Sequence, residues 1–321
     1  MELSEIYAPV QADLEAVEKR LKEVSNVDFP HLAELLDYSL QSTGKRIRPV
    51  LVLISGKFYD YDEDKLLSMA TAAEIMHIAT LVHDDAIDKS SVRRGRATVN
   101  AVWSDEKAVL LGDYLFAEAG AMTASTNNLR AIKLFAVTLK TISRGELDQS
   151  YYAYNLEQSR DQYFKRIACK TAALFSMSTE SGAAMSKAPE ESIQALIKYA
   201  YNLGVAFQIV DDILDFIGTE TELGKPAGSD LGQGTITLPS LMLMERYPKD
   251  NPLRKLTDDN NRQKAIKQAM EMVRNSTIIQ DCQQVALDYC NVAKETLEIL
   301  PNKPGCRLLA ELADYVTHRR K

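Results

Sequence analysis

Two short acidic clusters stand at the ends of long apolar stretches of the sequence. The first reads HDDAID (83–88), the second VDDILDF (210–216), and both carry the spacing Asp-Asp-x-x-Asp. In a helix, residues four apart lie on one face, so the first and last aspartate of each cluster point the same way. Uncompensated carboxylates at this spacing repel each other, which predicts a cation between them. The six residues are Asp84, Asp85, Asp88, Asp211, Asp212 and Asp215.

The cation that suits these clusters is Mg²⁺. It prefers oxygen ligands, keeps several waters and is often completed by substrate phosphates. The alternative is that each cluster is an exposed helix end, where acidic side chains would oppose the negative pole of the helix dipole. Because the same spacing occurs twice, the sequence favours a metal site.

Basic residues follow the first cluster or lie in or near other breaks between helical stretches. Guanidinium groups bind phosphate oxygens bidentately, and a Lys ammonium binds them as a point charge. Each cation alone fits a solvated surface charge, but together with two acidic clusters they predict a diphosphate site. His77 lies two turns before Asp84 on nearly the same helix stripe, so it belongs either to this site or to the core. The basic residues are Lys45, Arg46, Arg48, Arg93, Arg94, Arg96, Lys170 and Lys225.

The elements that must position these residues are helices. Apolar residues recur at three- and four-residue spacing almost throughout, and we find no convincing alternating strand. No low-complexity linker divides the chain, which predicts a single all-α domain over residues 1–321, a bundle of about a dozen helices. The predicted helices cover 4–24, 30–42, 46–59, 64–88, 104–124, 127–150, 159–186, 190–217, 236–246, 259–279, 280–299 and 304–318.

Composition limits the function classes. A net charge of −7 and a pI near 5.3 argue against a general nucleic-acid surface. The four cysteines show no CxxC pairing, which favours reduced thiols and a cytoplasmic protein. The first residues are acidic and amphipathic rather than a secretory signal, and no window of about 18 residues is free of charge, so we expect no transmembrane segment.

Several motifs together resemble the head-to-tail trans-prenyl diphosphate synthases, in that family's order and spacing over nearly 200 residues. This resemblance implies an all-α isoprenoid synthase fold with the two aspartate motifs facing each other across a central cavity, normally in a homodimer. It also implies the condensation of an allylic diphosphate with isopentenyl diphosphate and the release of pyrophosphate. The motifs are GKRIRP (44–49), HDDAID (83–88), RRGRATV (93–99), GELDQ (145–149), KTAALF (170–175), AFQIVDDILDF (206–216) and GKPAGSDL (224–231).

The resemblance also implies roles for single residues. Asp84, Asp88 and Asp211 would bind Mg²⁺, with three ions per site when substrate is bound, and Asp85, Asp212 and Asp215 would support them directly or through water. Arg93, Lys170 and Lys225 would hold the allylic diphosphate, and Lys45, Arg48, His77 and Arg94 that of isopentenyl diphosphate. Thr171 and Gln208 would lie, with Lys170, at the catalytic position beside the allylic carbon.

Product length depends on what closes the tunnel for the growing chain. Short-chain members often carry an aromatic residue four or five places before the first motif, where this sequence has Ala79 and Thr80. Phe135 is a candidate for a deeper floor, although an ordinary core phenylalanine is the simpler interpretation. Where many members have a Lys in GKxTLP, this chain has Thr235, which bears on substrate preference more than on activity. We expect a medium- to long-chain product, from hexaprenyl to octaprenyl or somewhat longer.

Three alternatives remain at this point. A short-chain farnesyl or geranylgeranyl diphosphate synthase shares the motifs. A class I terpene cyclase also binds Mg²⁺ in a helical bundle, but it ordinarily carries an Asn/Ser/Glu-type second cluster and needs no isopentenyl diphosphate. A non-catalytic subunit of a two-component synthase would not need both aspartate clusters intact.

Overall fold

The computed structural model describes residues 3–41, 44–219, 226–301 and 304–319. Almost all of the regular structure in these residues is α-helical, which confirms the predicted fold class. The helices are α1 (Leu3–Tyr7), α2 (Gln11–Glu23), α3 (Pro30–Leu40), α4 (Ile47–Lys57), α5 (Glu63–Ile87), α6 (Val99–Val102), α7 (Asp105–Ser125), α8 (Leu129–Tyr151), α9 (Arg160–Ile167), α10 (Ala173–Met185), α11 (Glu190–Ile217), α12 (Ser229–Gly232), α13 (Leu238–Arg246), α14 (Arg262–Arg274), α15 (Ile278–Glu295) and α16 (Pro304–His318).

A two-residue β-hairpin departs from the strand-free prediction. Strands β1 (Val92–Arg93) and β2 (Arg96–Ala97) pair in antiparallel register immediately after the first aspartate cluster. The two turn residues, Arg94 and Gly95, have φ angles of 52° and 74°. A two-residue turn with both φ angles positive matches the right-handed twist of paired strands. This turn folds the arginine-rich loop back over the end of α5.

Helices α5 and α11 form the centre of the bundle. Helix α5 packs against α2, α4, α7 and α10, and α11 packs against α10, α13, α15 and α16. The buried apolar side chains of the described elements form one connected core, whereas the assignment of residues 1–321 to a single domain stays a prediction. Each central helix ends at one aspartate cluster.

One helix of the described residues is long and apolar enough to cross a membrane by composition alone. It is α5, and 72% of its most apolar 18-residue window is buried inside the protein. A buried core helix passes the same length and hydropathy criteria. The hydropathy of α5 therefore reflects its central position in the bundle.

Candidate active site

The first aspartate cluster lies at the carboxyl end of α5 and is contacted by two cations. Arg93 Nε lies 2.8 Å from Asp85 Oδ1, and Lys170 Nζ lies 3.6 Å from Asp84 Oδ2. Burial raises the pKa of Asp88, and the neighbouring Asp84 adds to this rise while Lys170 opposes it. The cluster therefore holds more negative charge than its protein partners neutralise.

Lys170 and its neighbour Thr171 lie on a π-helical turn, Ala168–Ala172, between α9 and α10. Such turns insert one extra residue into a helix and occur frequently at functional sites. Two glycines let neighbouring helices approach this turn closely. A Cβ at Gly145 of α8 would lie 2.9 Å from Cys169 Cβ, and a Cβ at Gly204 of α11 would lie 2.7 Å from Ala172 Cα. The turn is thus held between two helices by contacts that no larger residue permits.

Lys170 is held between two carboxylates. Its ammonium lies 2.6 Å from Glu146 Oε1 and, more distantly, beside Asp84. Burial alone would lower the pKa of Lys170, but Asp84 and Glu146 more than compensate and raise it. Lys170 is therefore a charged ammonium at the edge of the first cluster.

The second aspartate cluster, at the carboxyl end of α11, accepts hydrogen bonds from several neutral donors. Asp212 accepts hydrogen bonds from Tyr163 OH at 2.7 Å and from Gln208 Nε2 at 2.9 Å. Asp215 accepts from Ser229 Oγ at 3.0 Å and from the backbone N–H of residue 230 at 3.2 Å. Burial and, next to it, the nearby Asp230 raise the pKa of Asp212 to about 7, although the hydrogen bonds from Tyr163 and Gln208 oppose this rise.

Asp211 is the outward-facing member of the second cluster. Its side chain is 41% exposed, and its Oδ1 lies 2.6 Å from Arg319 Nη2 near the end of the chain. The Arg319 guanidinium also donates to the Phe207 carbonyl and stacks 3.8 Å from the centre of the Phe207 ring. Asp211 is therefore the carboxylate of this cluster that a ligand can reach most easily, since Asp212 and Asp215 are buried.

The two clusters belong to one site. Thr171 Oγ1 donates to Gln208 Oε1 at 2.6 Å, and Gln208 in turn donates to Asp212, so the π turn beside the first cluster is bonded to the second. Asp230 raises the pKa of Asp212 and also that of Asp88, which places its charge near both clusters. The structure thus brings together the aspartates and the residues predicted at the catalytic position.

A group of cations lies on the side of this site nearest α4 and the hairpin. Burial, Arg48 and Arg94 lower the pKa of His77 to well below its usual range, so His77 is neutral. Burial and the nearby Arg94 also lower the pKa of Arg48 to about 10. Arg48 Nε is buried and has no hydrogen-bond partner among the residues that the structure describes. Crowded guanidiniums around a neutral histidine form a site for an anion.

Aromatic rings support two of these cations. The Arg48 guanidinium lies 5.1 Å from the centre of the Phe175 ring, and Lys45 Nζ lies 5.7 Å from that of Phe207. The two rings pack together at 5.5 Å. A ring face attracts a cation without neutralising it. The two rings therefore help to position the Arg48 and Lys45 side chains.

Arg46 differs from its neighbours, although it lies in the same GKRIRP segment. It pairs with Glu18 at 2.5 Å and with Glu74 at 2.7 Å, and these two glutamates neutralise its charge. The Arg94 Nη1 atom lies 3.2 Å from the position that a Cβ on Gly44 would take. The segment therefore joins the hairpin at this site, with Arg46 as a structural cation.

Two of the three predicted chain-length residues lie on α5 below the first cluster. Ala79 is fully buried, and the Thr80 hydroxyl donates to the His77 carbonyl at 2.7 Å, so neither side chain offers a bulky barrier. Phe135 of α8 lies over Gly120 of α7, its ring 3.4 Å from the position of a Cβ there. Whether these three residues set the product length stays a prediction.

Sequence reasoning assigned no role to Glu146, Tyr163, Asp230 or Arg319, which all contact or influence the clusters. Glu146 lies within the GELDQ motif and Asp230 within GKPAGSDL, so the position of these two residues in recognised motifs could have identified them. Tyr163 and Arg319 are distant in sequence from the aspartates, and only the fold brings them near. Lys225, predicted to hold the allylic diphosphate, lies outside the described residues.

The residues present fit a divalent cation that arrives together with a diphosphate. No three Asp, Glu, His or Cys side chains form a ready-made ligand group within 3–41, 44–219, 226–301 and 304–319. The clusters instead offer carboxylate oxygens from the carboxyl ends of the two central helices. Mg²⁺ typically takes one or two carboxylates and completes its shell with water and phosphate oxygens.

Comparisons with known proteins agree with this geometry. Residues 29–273 match the model of the polyprenyl synthetase family. The chain is 37% identical to a heptaprenyl diphosphate synthase component 2 of Bacillus subtilis, over 100% of this chain and 92% of the relative. It superimposes on a heptaprenyl diphosphate synthase from Staphylococcus aureus with a TM-score of 0.93 and 33% identity, covering 100% and 99% of the two chains. A polyprenyl synthase from Caulobacter crescentus, complexed with calcium and isoprenyl diphosphate, gives a TM-score of 0.92 and 32% identity, covering 100% and 98%.

The chain therefore belongs to the polyprenyl synthetase family, and it is an enzyme of the trans-prenyltransferase type. This confirms the resemblance read from the motifs.

Proposed function

We propose that this enzyme condenses an allylic diphosphate with isopentenyl diphosphate head to tail and repeats the addition to give a medium- to long-chain all-trans polyprenyl diphosphate. The observation that carries the proposal is the pair of aspartate clusters joined through Lys170, Thr171 and Gln208, beside a separate group of cations. A condensation needs two diphosphate sites. The clusters and the cation group supply one each.

The allylic diphosphate would bind between the clusters. Asp84, Asp88 and Asp211 would hold up to three Mg²⁺ ions, which when bound would neutralise the leaving diphosphate. Arg93 and Lys170, paired with carboxylates in the substrate-free protein, would turn to the diphosphate oxygens. The diphosphate of isopentenyl diphosphate would bind Arg48, whose Nε lacks a hydrogen-bond partner in the described part of the chain, with Lys45, His77 and Arg94.

The reaction would break the allylic carbon–oxygen bond and release pyrophosphate. The double bond of isopentenyl diphosphate would attack the allylic cation and form the new carbon–carbon bond, after which a proton is lost to the departing pyrophosphate. Thr171 and Gln208 would direct oxygen lone pairs toward the carbon where positive charge develops. The apolar walls of the cavity would exclude water, which would otherwise quench the cation.

The central experiment incubates the pure protein with Mg²⁺, isopentenyl diphosphate and allylic primers of increasing length, with products read by mass spectrometry. We expect consumption of isopentenyl diphosphate and products longer than geranylgeranyl diphosphate. A C15 or C20 end product would instead identify a short-chain synthase. Cyclic products formed without isopentenyl diphosphate would identify a terpene cyclase.

The names of the heptaprenyl relatives and the small residues below Asp84 support a medium or long product. Thr80 lies one helical turn, ~5.4 Å, from Asp84, which is about the length of one extended isoprene unit. Ala79→Tyr should therefore shorten the product, and Phe135→Ala should lengthen it if Phe135 forms the floor. An unchanged distribution in Ala79→Tyr would contradict control of chain length at this position.

We propose a homodimer formed through α7 and α8. Exposed apolar side chains lie on both helices, including Leu110 of α7 and Val137 of α8. Exposed acidic residues such as Asp113 lie on α7, and exposed basic residues such as Lys133 and Lys140 lie on α8. In a two-fold dimer, α7 of one copy would meet α8 of the other, so opposite charges would pair.

A second candidate is a complex with a different subunit, because the Bacillus subtilis relative is named as a component 2. Light scattering after size exclusion distinguishes a dimer from a monomer, and Val137→Glu should dissociate a dimer built on this face. If the pure chain consumes labelled isopentenyl diphosphate only after a second protein is added, the two-component assembly is correct. We further propose a cytoplasmic location, which suits four unpaired cysteines and is tested by cell fractionation.

A further inference from the structure

A buried hydrogen-bond chain runs from α9 to the predicted catalytic position. It begins at Tyr163, whose side chain is completely buried, and passes through Asp212 and Gln208 to Thr171. The three donor–acceptor distances are 2.7, 2.9 and 2.6 Å. The residues come from α9, the π turn and α11, so the chain ties three separate elements together.

This hydrogen-bond chain fixes the direction in which each group donates. The ionised Asp212 carboxylate only accepts hydrogen bonds, so in that state the Gln208 amide presents its Nε2 to Asp212 and its Oε1 to Thr171. The Thr171 hydroxyl then donates to Gln208 and leaves its oxygen lone pairs for other contacts. Asp212 Oδ1 thereby orients the Gln208 amide, which in turn orients the Thr171 hydroxyl. The Tyr163 hydroxyl orients Asp212 by donating to its other oxygen, Oδ2.

Tyrosine suits this position better than a cation would. A neutral donor orients the Asp212 carboxylate without adding a positive charge, and the hydrogen bond from Tyr163 favours the ionised form of Asp212 by lowering its pKa against the effect of burial. A cation is available nearby, because the Arg166 guanidinium lies 5.7 Å from the Tyr163 ring centre. Arg166 instead donates its hydrogen bonds to the Gln158 side chain and the Ile236 carbonyl.

We propose that Tyr163 is a positioning residue for the condensation: through Asp212 it fixes the orientation of Gln208 and Thr171 toward the allylic carbon. This inference rests on the proposed function, since it assumes that positive charge develops beside these two oxygens. It predicts that the Tyr163 hydroxyl acts on the chemical step and leaves the binding of isopentenyl diphosphate, at the cation group, unchanged.

The test is Tyr163→Phe, which keeps the ring and removes the donor. The matched control is Tyr199→Phe, because Tyr199 is also completely buried and donates one hydrogen bond, at 2.7 Å to the Leu309 carbonyl, away from the site. The rate of the first condensation is measured in a single turnover, so that slow release of a long product does not mask it. We expect Tyr163→Phe to lower this rate about 10- to 100-fold, the effect of one hydrogen bond to a charged group. We expect KM for isopentenyl diphosphate to stay within about twofold.

Restoring a donor at position 163 and determining crystal structures distinguish a positioning role of the Tyr163 hydroxyl from a packing role of the side chain. Incorporation of 4-aminophenylalanine at position 163 restores a donor and should recover most of the rate. Crystal structures of the substrate-free variants should show the Gln208 amide reoriented in Tyr163→Phe and unchanged in Tyr199→Phe. If Tyr163→Phe does not fold, 4-fluorophenylalanine at this position fills the hydroxyl volume without a donor and takes its place.

Three outcomes would overturn the inference. The first is an equal loss of rate in Tyr163→Phe and Tyr199→Phe, which would indicate general stability. The second is a raised KM with an unchanged single-turnover rate, and the third is a Gln208 amide that keeps its orientation without the donor. Failure of the wild-type protein to consume isopentenyl diphosphate would instead overturn the proposed function, and the crystal structures would still report on the hydrogen-bond chain.

Discussion

The two aspartate clusters share one sequence pattern but have different partners. In the first, the contacts to Asp84 and Asp85 come from the long cations Lys170 and Arg93, and the Arg93 side chain is 38% exposed. In the second, Asp212 and Asp215 are almost completely buried and accept hydrogen bonds from a tyrosine, an amide, a hydroxyl and a backbone N–H. Asp211 of that cluster, which is 41% exposed, pairs with the guanidinium of Arg319.

This difference indicates separate tasks within one site. Flexible cations can leave carboxylates and turn to a diphosphate when metal and substrate arrive, because the two interactions are similar in kind. Buried neutral donors cannot be exchanged in that way without leaving polar groups unsatisfied. The first cluster is therefore suited to change partners during the reaction. The second is suited to hold a fixed geometry, with Asp211 as its exposed carboxylate.

The largest expected effect tests whether both clusters bind metal despite this difference. Asp84→Ala and Asp211→Ala should each lower turnover by about 10²- to 10³-fold, because each removes a carboxylate that we propose would hold the Mg²⁺ needed to neutralise the leaving diphosphate. Steady-state assays over a range of Mg²⁺ concentrations measure the loss. Asp288→Ala, an exposed aspartate on α15, is the control and should retain full activity. Retained turnover in Asp211→Ala would show that the second cluster has only a structural role.

The next effect concerns the π turn that joins the clusters. In Gly204→Ala the new Cβ would lie 2.7 Å from Ala172 Cα, so the turn must shift and Lys170 and Thr171 must shift with it. We expect turnover to fall about 10- to 100-fold and stability to fall by about 1–3 kcal/mol. Gly232→Ala is the control, since a Cβ there has open space. Equal behaviour of the two variants in activity and thermal unfolding would mean that the turn does not need this close contact.

The sequence predicts most residues of the candidate site but few of the residues that hold them in position. The repeated Asp-Asp-x-x-Asp spacing predicted both clusters because helical periodicity alone places the side chains. The π turn could not be predicted, since Ala168–Ala172 has an ordinary helical composition and the extra residue is stabilised by Gly145 and Gly204 from other helices. Tyr163 could not be distinguished from an ordinary core tyrosine in the sequence, because its hydrogen-bond partner Asp212 is 49 residues away.

A smaller effect concerns the free energy of unfolding of the metal-free protein, which substitutions in the two clusters should change differently. Asp215→Asn replaces an acceptor oxygen with an amide donor facing Ser229 or the backbone N–H of residue 230, which should cost about 1–3 kcal/mol. Asp88→Asn removes repulsion from Asp84 four residues away and should stabilise by about 0.2–0.5 kcal/mol. Chemical denaturation in the presence of a chelator measures both. If both variants are destabilised equally, the two clusters do not differ in the way that their partners indicate.

The smallest effect concerns Arg319, which contacts the only second-cluster carboxylate that we expect to serve as an outward metal ligand. In the substrate-free protein its guanidinium lies on Asp211, so it competes with a metal ion for the same oxygen. Arg319→Ala should therefore lower the Mg²⁺ concentration for half-maximal activity by about 2- to 5-fold, in line with the modest strength of a partly exposed ion pair. Arg307→Ala is the control on the same helical region, because Arg307 pairs with Glu311 on the exposed side of α16. A higher Mg²⁺ requirement in Arg319→Ala would mean that Arg319 helps to hold a substrate, and the second cluster would then also depend on a cation that changes partners.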